Sequence, residues 1–410
     1  MPLPPRTAWT VTLVATATMA VSYVDRQAVA ALAPTITADL GISETAFGWL
    51  GSAFSIAYLV GAPVAGRVID RVGARRGLTA SVLVWSAVAA AHALVPGFAT
   101  LFLLRILLGL AEAPSFPGAA QTVTRALPPA RRAAGFGVLF TGSSIGAALS
   151  AVIAPTLAGW WGWRPALVGT ALVGLLWLPL WLWVTHPAAT RAALATPDPP
   201  DRAEPPAWGS LFRRAAVWRA LAAVVATAPV VGLILQYGAK LLVAQHGITQ
   251  LEVREYLWVP PLAFDAGAVV FGVLGSMFAR RHGDDPPTPR ALFATAAVLS
   301  LAVGGLAFTT TPWQTTCMAA IALAGGGGVY ALATSDMLSR VPPSQVAAAG
   351  GLTAAAQSLA LIIAFPTIGS VVQSTILTSP ATSYHPVVLA LAAWMVPGAL
   401  FWLLVPPGRR

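Results

Sequence analysis

The sequence has few charged residues and almost no cysteine. Charged side chains make up 9% of its 410 residues, whereas an ordinary soluble domain has about 25%. Hydrophobic residues make up 57%, and the mean hydropathy is +0.75. Lipid is therefore the expected surrounding of most of the chain. With Cys317 as its one cysteine, the chain has no internal disulfide framework and no cysteine-based metal site.

Long apolar stretches account for most of the sequence. A helix needs roughly 20 mainly apolar residues to cross a bilayer. We predict twelve such helices, near residues 9–36, 44–66, 78–97, 99–124, 134–158, 163–185, 214–243, 255–279, 290–309, 312–336, 346–374 and 385–405. A polar, proline-rich stretch follows the sixth. The sequence therefore predicts an all-α membrane protein of two six-helix halves: an N-terminal bundle (1–185), a cytoplasmic linker (186–213) and a C-terminal bundle (214–410).

The basic residues orient the predicted helices. All but one of the 24 are arginines, and eighteen lie in loops on the side of both termini. Because basic loops remain in the cytoplasm, we predict an integral protein of the bacterial cytoplasmic membrane with both termini inside. The net charge of +10 then reflects topology and contact with membrane lipid. Nucleic acid is not an expected partner, and we expect a monomer.

A few charges remain inside the predicted helices. They are Asp25, Arg26, Arg105, Glu112, Arg219, Lys240 and Asp265. A charge at the bilayer centre costs about 2.5 to 3.5 kcal/mol, so such residues normally face a watery cavity and mark ion or substrate pathways. A structural ion pair is the alternative for any one of them, but several deep charges together favour a pathway. Arg219 is expected to extend to the cytoplasmic interface, and Asp265 to serve packing, gating or protonation.

The fourth predicted helix carries two of these charges on one face. Arg105 and Glu112 are seven residues apart, which places them about 10 Å apart along the axis. Each therefore needs a partner from another helix, and Asp25 and Arg26 on the first helix offer one of each sign. A carboxylate held near an arginine can change its protonation when substrate or water enters. This arrangement meets a physical requirement for proton coupling.

Other polar residues in the helices are candidate ligand contacts. Lys240, the single lysine, either pairs with a carboxylate or extends to the outer interface. Tyr23, Tyr58 and Gln357 offer hydrogen bonds to a polyhydroxylated ligand, although a tyrosine in a membrane helix also serves packing or the interfacial belt.

The loop after the second helix reads GRVIDRVGARR, from Gly66 to Arg76. It resembles the G-x-x-x-D-R-x-G-x-R-R signature of the major facilitator superfamily. The resemblance implies a cytoplasmic gate motif that contains Gly66, Asp70, Arg71, Gly73 and Arg75, with Asp70 paired to Arg71 and Arg75.

Four longer stretches resemble one branch of that superfamily. They are the segment from SYVDRQ to the GARR loop, RILLGLAEAPSFPGA, WVPPLAFDAGAVVFGVLGS and TSYHPVVLALAAW. They are similar to the anion:cation symporter family, which includes hexuronate, galactonate and sialic acid transporters. The resemblance implies import of a small organic anion with protons as the coupling ion, and no metal or other cofactor. Its implied proton-coupling residues are Asp25 and Glu112, and its implied substrate-binding residues are Arg26, Arg105, Tyr23, Tyr58, Lys240 and Gln357.

Other functions are open. The chain has no asparagine, so a carboxylate on the ligand is better supported than its hydroxyls. A proton-driven exporter of drugs or metabolites has the same fold, although GSSIGAALSAVIAP lacks the Gly-Pro and Gly-Gly that are typical of such exporters. The deep cations also disfavour a cationic ligand. An intramembrane enzyme is not expected, because no H-E-x-x-H or phosphate-binding loop is present. A non-transporting receptor would not need acidic and basic groups at depth.

Overall fold

The computed structural model describes residues 3–195, 208–281, 288–342, 345–377 and 379–407. Across these ranges the chain forms α-helices joined by short turns, and the described part contains no strand. Residues 196–207 of the predicted linker lie outside the described residues. The same holds for Arg409 and Arg410, which contribute to the predicted orientation.

The first six predicted segments correspond to helices, with a break in the first segment at Leu32 and another in the fourth, and a short further helix, Ala188–Leu194, lies in the predicted linker. The helices are α1 (Pro5–Ala31), α2 (Ala33–Asp39), α3 (Glu44–Val72), α4 (Ala74–Ala91), α5 (Phe98–Glu112), α6 (Ser115–Ala126), α7 (Pro129–Trp161), α8 (Trp163–Val184) and α9 (Ala188–Leu194). The fourth predicted helix is divided into α5 and α6 at Ala113 and Pro114. Because proline has no backbone N–H to donate, it interrupts the hydrogen-bond ladder there.

The later helices follow the same pattern. They are α10 (Trp208–Phe212), α11 (Ala215–Gly232), α12 (Gly238–His246), α13 (Val259–Arg281), α14 (Arg290–Ser300), α15 (Pro312–Leu338), α16 (Val346–Ile376) and α17 (His385–Leu404). A π-helical turn, Leu233–Tyr237, joins α11 to α12. Twelve segments of the described residues are long and apolar enough to cross a membrane. The predicted all-α class and the number of membrane helices are confirmed.

The chain divides into two compact units. The first unit contains Met1–Ile42, Trp49–Ala203 and Thr249–Trp258. The second contains Ser43–Gly48, Glu204–Ile248 and Val259–Arg410. Two short segments therefore group differently from a linear division at the linker. The first turn of α3 belongs to the second unit, and residues 249–258 belong to the first.

Indole rings and a glycine organise the core of the first unit. Trp177 and Trp181 on α8 stack with ring centroids 5.3 Å apart. The Trp177 indole N–H donates to the Val14 carbonyl at 2.9 Å, which attaches α8 to α1. On α7, a Cβ at Gly146 would overlap the Ala20 carbonyl of α1. Small residues let membrane helices approach closely, so α1 packs tightly between α7 and α8.

Aromatic stacking and close helix contacts at glycines also organise the core of the second unit. Trp402 on α17 stacks on Phe293 of α14 at 3.7 Å between ring centroids. Gly267 on α13 and Gly327 on α15 each lie against a backbone carbonyl of the other helix, where a Cβ would not fit. Close backbone contact of this kind gives packing energy that the lipid environment does not otherwise supply.

Candidate functional site

A buried ion pair lies at the centre of the first unit. The Arg26 guanidinium on α1 donates twice to Oε2 of Glu112, from Nη2 at 3.0 Å and from Nε at 3.2 Å. The Glu112 side chain is 0% exposed and that of Arg26 is 17% exposed. Glu112 is the last residue of α5, immediately before the break that precedes α6. The partner that the spacing of the fourth helix requires is therefore Arg26.

Three aromatic rings surround the Arg26 guanidinium. Its Cζ lies 4.4 Å from the ring centroid of Tyr23, 4.4 Å from that of Phe54 and 4.9 Å from that of Tyr58. The ring faces attract the cation, so they help to hold the guanidinium in place beside Glu112. Both predicted tyrosines are at this site. Phe54, which the sequence analysis did not single out, stacks against Tyr58 and completes the cage.

Asp25 and Arg105 add a second pair of opposite charges. Both are buried, at 3% and 5% exposure, and they interact electrostatically with each other and with Glu112. Arg105 donates from Nη1 to the Arg26 carbonyl at 3.1 Å. Its Nε and Nη2, and both Asp25 carboxylate oxygens, have no hydrogen-bond partner among the described residues. The two carboxylates and two guanidinium groups balance in charge. Several of their nitrogen and oxygen atoms remain available to bind a ligand.

His92 also belongs to this region, although no role was predicted for it. It follows α4 in a short 3-10 turn, is 1% exposed, and its Nδ1 lies 2.8 Å from the Val88 carbonyl. Its ring interacts electrostatically with Arg105. The only sequence signal is a histidine near the end of an otherwise apolar predicted helix.

Lys240 lies in the second unit and is engaged by a carboxylate. Its Nζ is 2.7 Å from Oε1 of Glu44, and both side chains are 9% exposed. The ammonium also lies 5.2 Å from the ring centroid of Phe47. Of the two roles predicted for Lys240, the structure matches pairing with a carboxylate, and extension to the outer interface is wrong. Glu44 was missed because it begins a predicted helix and so was not counted among the membrane charges.

The two remaining polar candidates are also in the second unit. Gln357 is half-buried on α16 and makes no hydrogen bond to any residue that the structure describes. Asp265 is half-buried on α13. Their predicted roles stay predictions.

The expectation for Arg219 is wrong. The side chain does not extend to the interface but is buried on α11, with Nη1 2.7 Å from Oδ2 of Asp336 on α15. Arg340 approaches the other oxygen of Asp336 at 3.2 Å. The Arg219 guanidinium also lies 4.1 Å from the Trp402 ring centroid. The nearby carboxylate and ring make a buried position more favourable than snorkelling.

The partners predicted for the gate motif also need correction. Asp70 is exposed and accepts a hydrogen bond from Nε2 of Gln121 at 3.2 Å, and it interacts electrostatically with Arg125. Arg75 instead donates to the Thr185 hydroxyl at 3.1 Å, and no described contact joins Asp70 to Arg71. Gln121 on α6 therefore binds the loop, since it also accepts from the Ala74 N–H at 2.9 Å.

Of the two glycines in the motif, the backbone conformation requires glycine at Gly73 but not at Gly66. Gly73 precedes α4 with φ of 80°, a conformation that side-chain-bearing residues rarely adopt. At Gly66, by contrast, a Cβ would meet nothing within 4 Å. Arg71 is exposed next to this turn.

The family model for the Major Facilitator Superfamily matches residues 15–365. The chain belongs to this superfamily. Its members are transporters, and the chain is a membrane transporter and not an enzyme. The stretch Gly142–Gly146 matches the G-x-S-x-G pattern of hydrolases, but it lies inside α7 and not at the strand-to-helix turn that the nucleophile requires. Within the described ranges, no group of three His, Cys, Asp or Glu side chains could hold a metal ion.

Relatives within the major facilitator superfamily cover the chain to different extents. The hexuronate transporter of Escherichia coli strain K12 is 26% identical over 96% of this chain and 92% of its own length. A quinolone resistance transporter of Acinetobacter baumannii is 33% identical, but over only 40% of this chain and 39% of its own length. Among solved structures, a bacterial homologue of the human lysosomal transporter Spinster has a TM-score of 0.83 at 18% identity, covering 98% of this chain and 97% of its own. At that identity the likeness shows the fold.

Proposed function

We propose that the chain imports a small organic anion of the sugar-acid class together with protons. The observation that carries the proposal is the Arg26–Glu112 pair, a cation and a titratable carboxylate held together inside the membrane. The likeness to a hexuronate transporter over nearly the whole chain supports the substrate class. The proposed transport follows alternating access, in which two halves rock around a site near the middle of the membrane.

The proposed coupling is an exchange of partners on Arg26. A proton on Glu112 removes the charge that occupies the guanidinium, and the carboxylate of the substrate then takes its place. A proton on Asp25 likewise removes the charge that balances Arg105. Tyr23 and Tyr58 hold Arg26 and face the ligand. The substrate carboxylate keeps Arg26 paired throughout the exchange, so this cation is not left buried alone, which would be costly.

The number of protons decides how the membrane voltage contributes. One proton with a monoanion moves no net charge, whereas two protons move one. Each net charge gains about 2.3 kcal/mol per 100 mV. Two titratable carboxylates, Asp25 and Glu112, are consistent with either stoichiometry.

Uptake into proteoliposomes tests the coupling residue. We expect an inward acid gradient to drive accumulation of labelled D-galacturonate in the wild type. Glu112→Gln should abolish gradient-driven accumulation and retain exchange of internal for external substrate, because the amide keeps the shape of the side chain but binds no proton. Glu255→Gln, the same change at an exposed position, is the matched control. Full gradient-driven uptake by Glu112→Gln and Asp25→Asn would refute the assignment.

Proton-driven export is a second candidate, favoured by the likeness of part of the chain to a quinolone resistance transporter. It predicts that the inward acid gradient drives efflux of a fluorescent quinolone loaded into the same vesicles, with no response to D-galacturonate. The two functions are thus distinguished by which compound the acid gradient moves.

We further propose that the protein is a monomer in the bacterial cytoplasmic membrane, with both termini in the cytoplasm and protons as its coupling ion. The arginine distribution supports this orientation. Protease digestion of a tag fused to either terminus, in intact and in opened spheroplasts, tests it.

A further inference from the structure

The Glu44–Lys240 pair is an ion pair outside the Arg26 cluster that the coupling described above does not use. Glu44 begins α3, and the N-terminus of a helix favours a negative charge. Its Oε1 contacts the ammonium at 2.7 Å, and the aromatic ring of Phe47 lies one turn further along the same helix and 5.2 Å from Nζ. The carboxylate is therefore held by a cation and a helix end at once.

The second unit fixes the first turn of α3 by its backbone. The Glu44 N–H donates to Oε1 of Gln373 at 2.8 Å. A Cβ at Gly369 on α16 would overlap the Glu44 carbonyl, and a Cβ at Gly48 would overlap the Phe365 carbonyl. This contact requires glycine on both sides. The backbone of Glu44 is thus positioned independently of its side chain, which can leave Lys240 without moving the helix.

A tyrosine hydroxyl without a partner lies in the same region. The Tyr384 hydroxyl is buried, has no hydrogen-bond partner among the described residues, and interacts electrostatically with Glu44. Oε2 of Glu44 is also buried without a hydrogen-bond partner in the described part of the chain. A lysine ammonium and a tyrosine hydroxyl are both donors that suit a carboxylate.

Stability alone is a weak explanation for this pair. Replacing a buried ion pair by apolar residues is often neutral or stabilising, because the desolvation cost is comparable to the attraction. A buried hydroxyl and a carboxylate oxygen without partners add to that cost. A site that exchanges one carboxylate for another explains both features.

We propose that Lys240 and Tyr384 form a carboxylate-binding site, which Glu44 fills in this conformation and which a substrate carboxylate enters by displacing Glu44. This rests on the proposed function and adds a carboxylate site within the second unit, which the substrate carboxylate occupies at a different stage of transport from its binding to Arg26. The exchange keeps one negative charge beside Lys240 at every stage. A neutral sugar cannot replace Glu44, so the pair also selects for anions.

The single lysine of the chain makes the site open to direct measurement. An amine-reactive acyl ester labels Lys240 and the N-terminus, and peptide mass spectrometry separates the two. In purified full-length protein without ligand, we expect Glu44→Gln to raise the labelling rate of Lys240 about tenfold, a factor that corresponds to about 1.4 kcal/mol. Glu255→Gln is the matched control and should label like the wild type, and labelling of the N-terminus should be equal in all variants.

A second variant and a ligand series complete the test. Glu44→Asp keeps the charge but moves it away from Lys240 by one methylene, so it should raise the labelling rate of Lys240 less than Glu44→Gln does. If the glutamine variant does not fold, Glu44→Asp is compared with the wild type in its place. D-Galacturonate should bind Glu44→Gln more tightly than the wild type, because it no longer competes with Glu44, while neutral D-galactose should bind neither.

The outcomes separate this proposal from the proposed function. Equal Lys240 labelling in the wild type and in a folded Glu44 variant, or equal affinity for D-galacturonate, overturns the competition even if liposomes accumulate the sugar acid. Faster labelling of Glu44→Gln together with no binding of D-galacturonate supports the Glu44–Lys240 contact and rejects sugar acids as its competitor. If liposomes do not take up D-galacturonate but the labelling and binding results are as expected, the transport proposal is rejected and the carboxylate site is retained.

Discussion

The cluster around Asp336 should tolerate substitution poorly, and Asp336→Asn tests this. Asp336 is 4% exposed and accepts from three side chains. Arg219 donates at 2.7 Å, Arg340 at 3.2 Å and the Thr288 hydroxyl at 3.3 Å. The amide keeps the size of the side chain but removes the charge, so two buried or nearly buried arginines lose their carboxylate.

The expected magnitude follows from the burial of the pair. Removing one partner of a buried ion pair costs about 3 to 5 kcal/mol. We expect about 3 kcal/mol, the lower end of that range, because Asp336 lies two residues before the end of α15, where the chain can adjust more easily than in the middle of a helix. At about 2 to 4 °C per kcal/mol for units of this size, Tm should fall by roughly 6 to 12 °C.

The same substitution at an exposed pair is the control. Asp39 and Arg164 are 2.8 Å apart, with side chains 46% and 44% exposed. Hydrogen bonds from Arg164 and Trp163 lower the pKa of Asp39 below its usual value. Exposed pairs nevertheless contribute little to stability. Asp39→Asn should therefore shift Tm only slightly.

Thermal unfolding in detergent, followed by intrinsic tryptophan fluorescence at one scan rate, measures both variants. The reasoning is refuted if Asp336→Asn unfolds within about 2 °C of the wild type, or if Asp39→Asn loses as much as Asp336→Asn does. A double variant in which Arg219→Met accompanies Asp336→Asn should recover part of the loss, since one uncompensated cation is removed.

Two further predictions concern single contacts. Arg105→Ala should abolish binding of D-galacturonate in a thermal-shift assay, because a buried cation beside Asp25 is lost, and unchanged affinity would remove Arg105 from the site. Gly48→Ala should raise Lys240 labelling about tenfold, because its Cβ would overlap the Phe365 carbonyl and displace the first turn of α3. Gly272→Ala, where a Cβ meets nothing within 4 Å, should label like the wild type.

The number of membrane helices could be predicted because apolar length is a direct physical requirement. A helix in lipid satisfies its own backbone, so composition over roughly 20 residues is enough to identify it. The interruptions within helices were not predicted. Pro114 and Pro229 are visible in the sequence, but whether a proline divides a helix, as between α5 and α6, or precedes a π-helical turn depends on the neighbouring helices.

The candidate site could be predicted only where charge and depth coincide. Arg26 and Glu112 lie well inside apolar stretches, so the cost of burying them indicated a pairing. Glu44 and Asp336 lie at the ends of predicted helices, where hydropathy treats a charge as part of a loop. The error for Arg219 has the same origin, because its depth alone suggested snorkelling and its partner was not recognised. Partners across helices are set by tertiary packing, which a linear pattern does not contain.

Two buried carboxylates should respond to loss of charge to different extents. Asp336 has three donors, whereas neither oxygen of Asp25 has a hydrogen-bond partner that meets the same geometric limits among the described residues. A buried polar group without partners costs free energy, but the Asp25 charge also stabilises the buried Arg105. Asp25→Asn should therefore lower Tm by less than Asp336→Asn does, while gradient-driven uptake of D-galacturonate falls. A loss of Tm equal to that of Asp336→Asn, with uptake retained, would show instead that Asp25 is a structural residue.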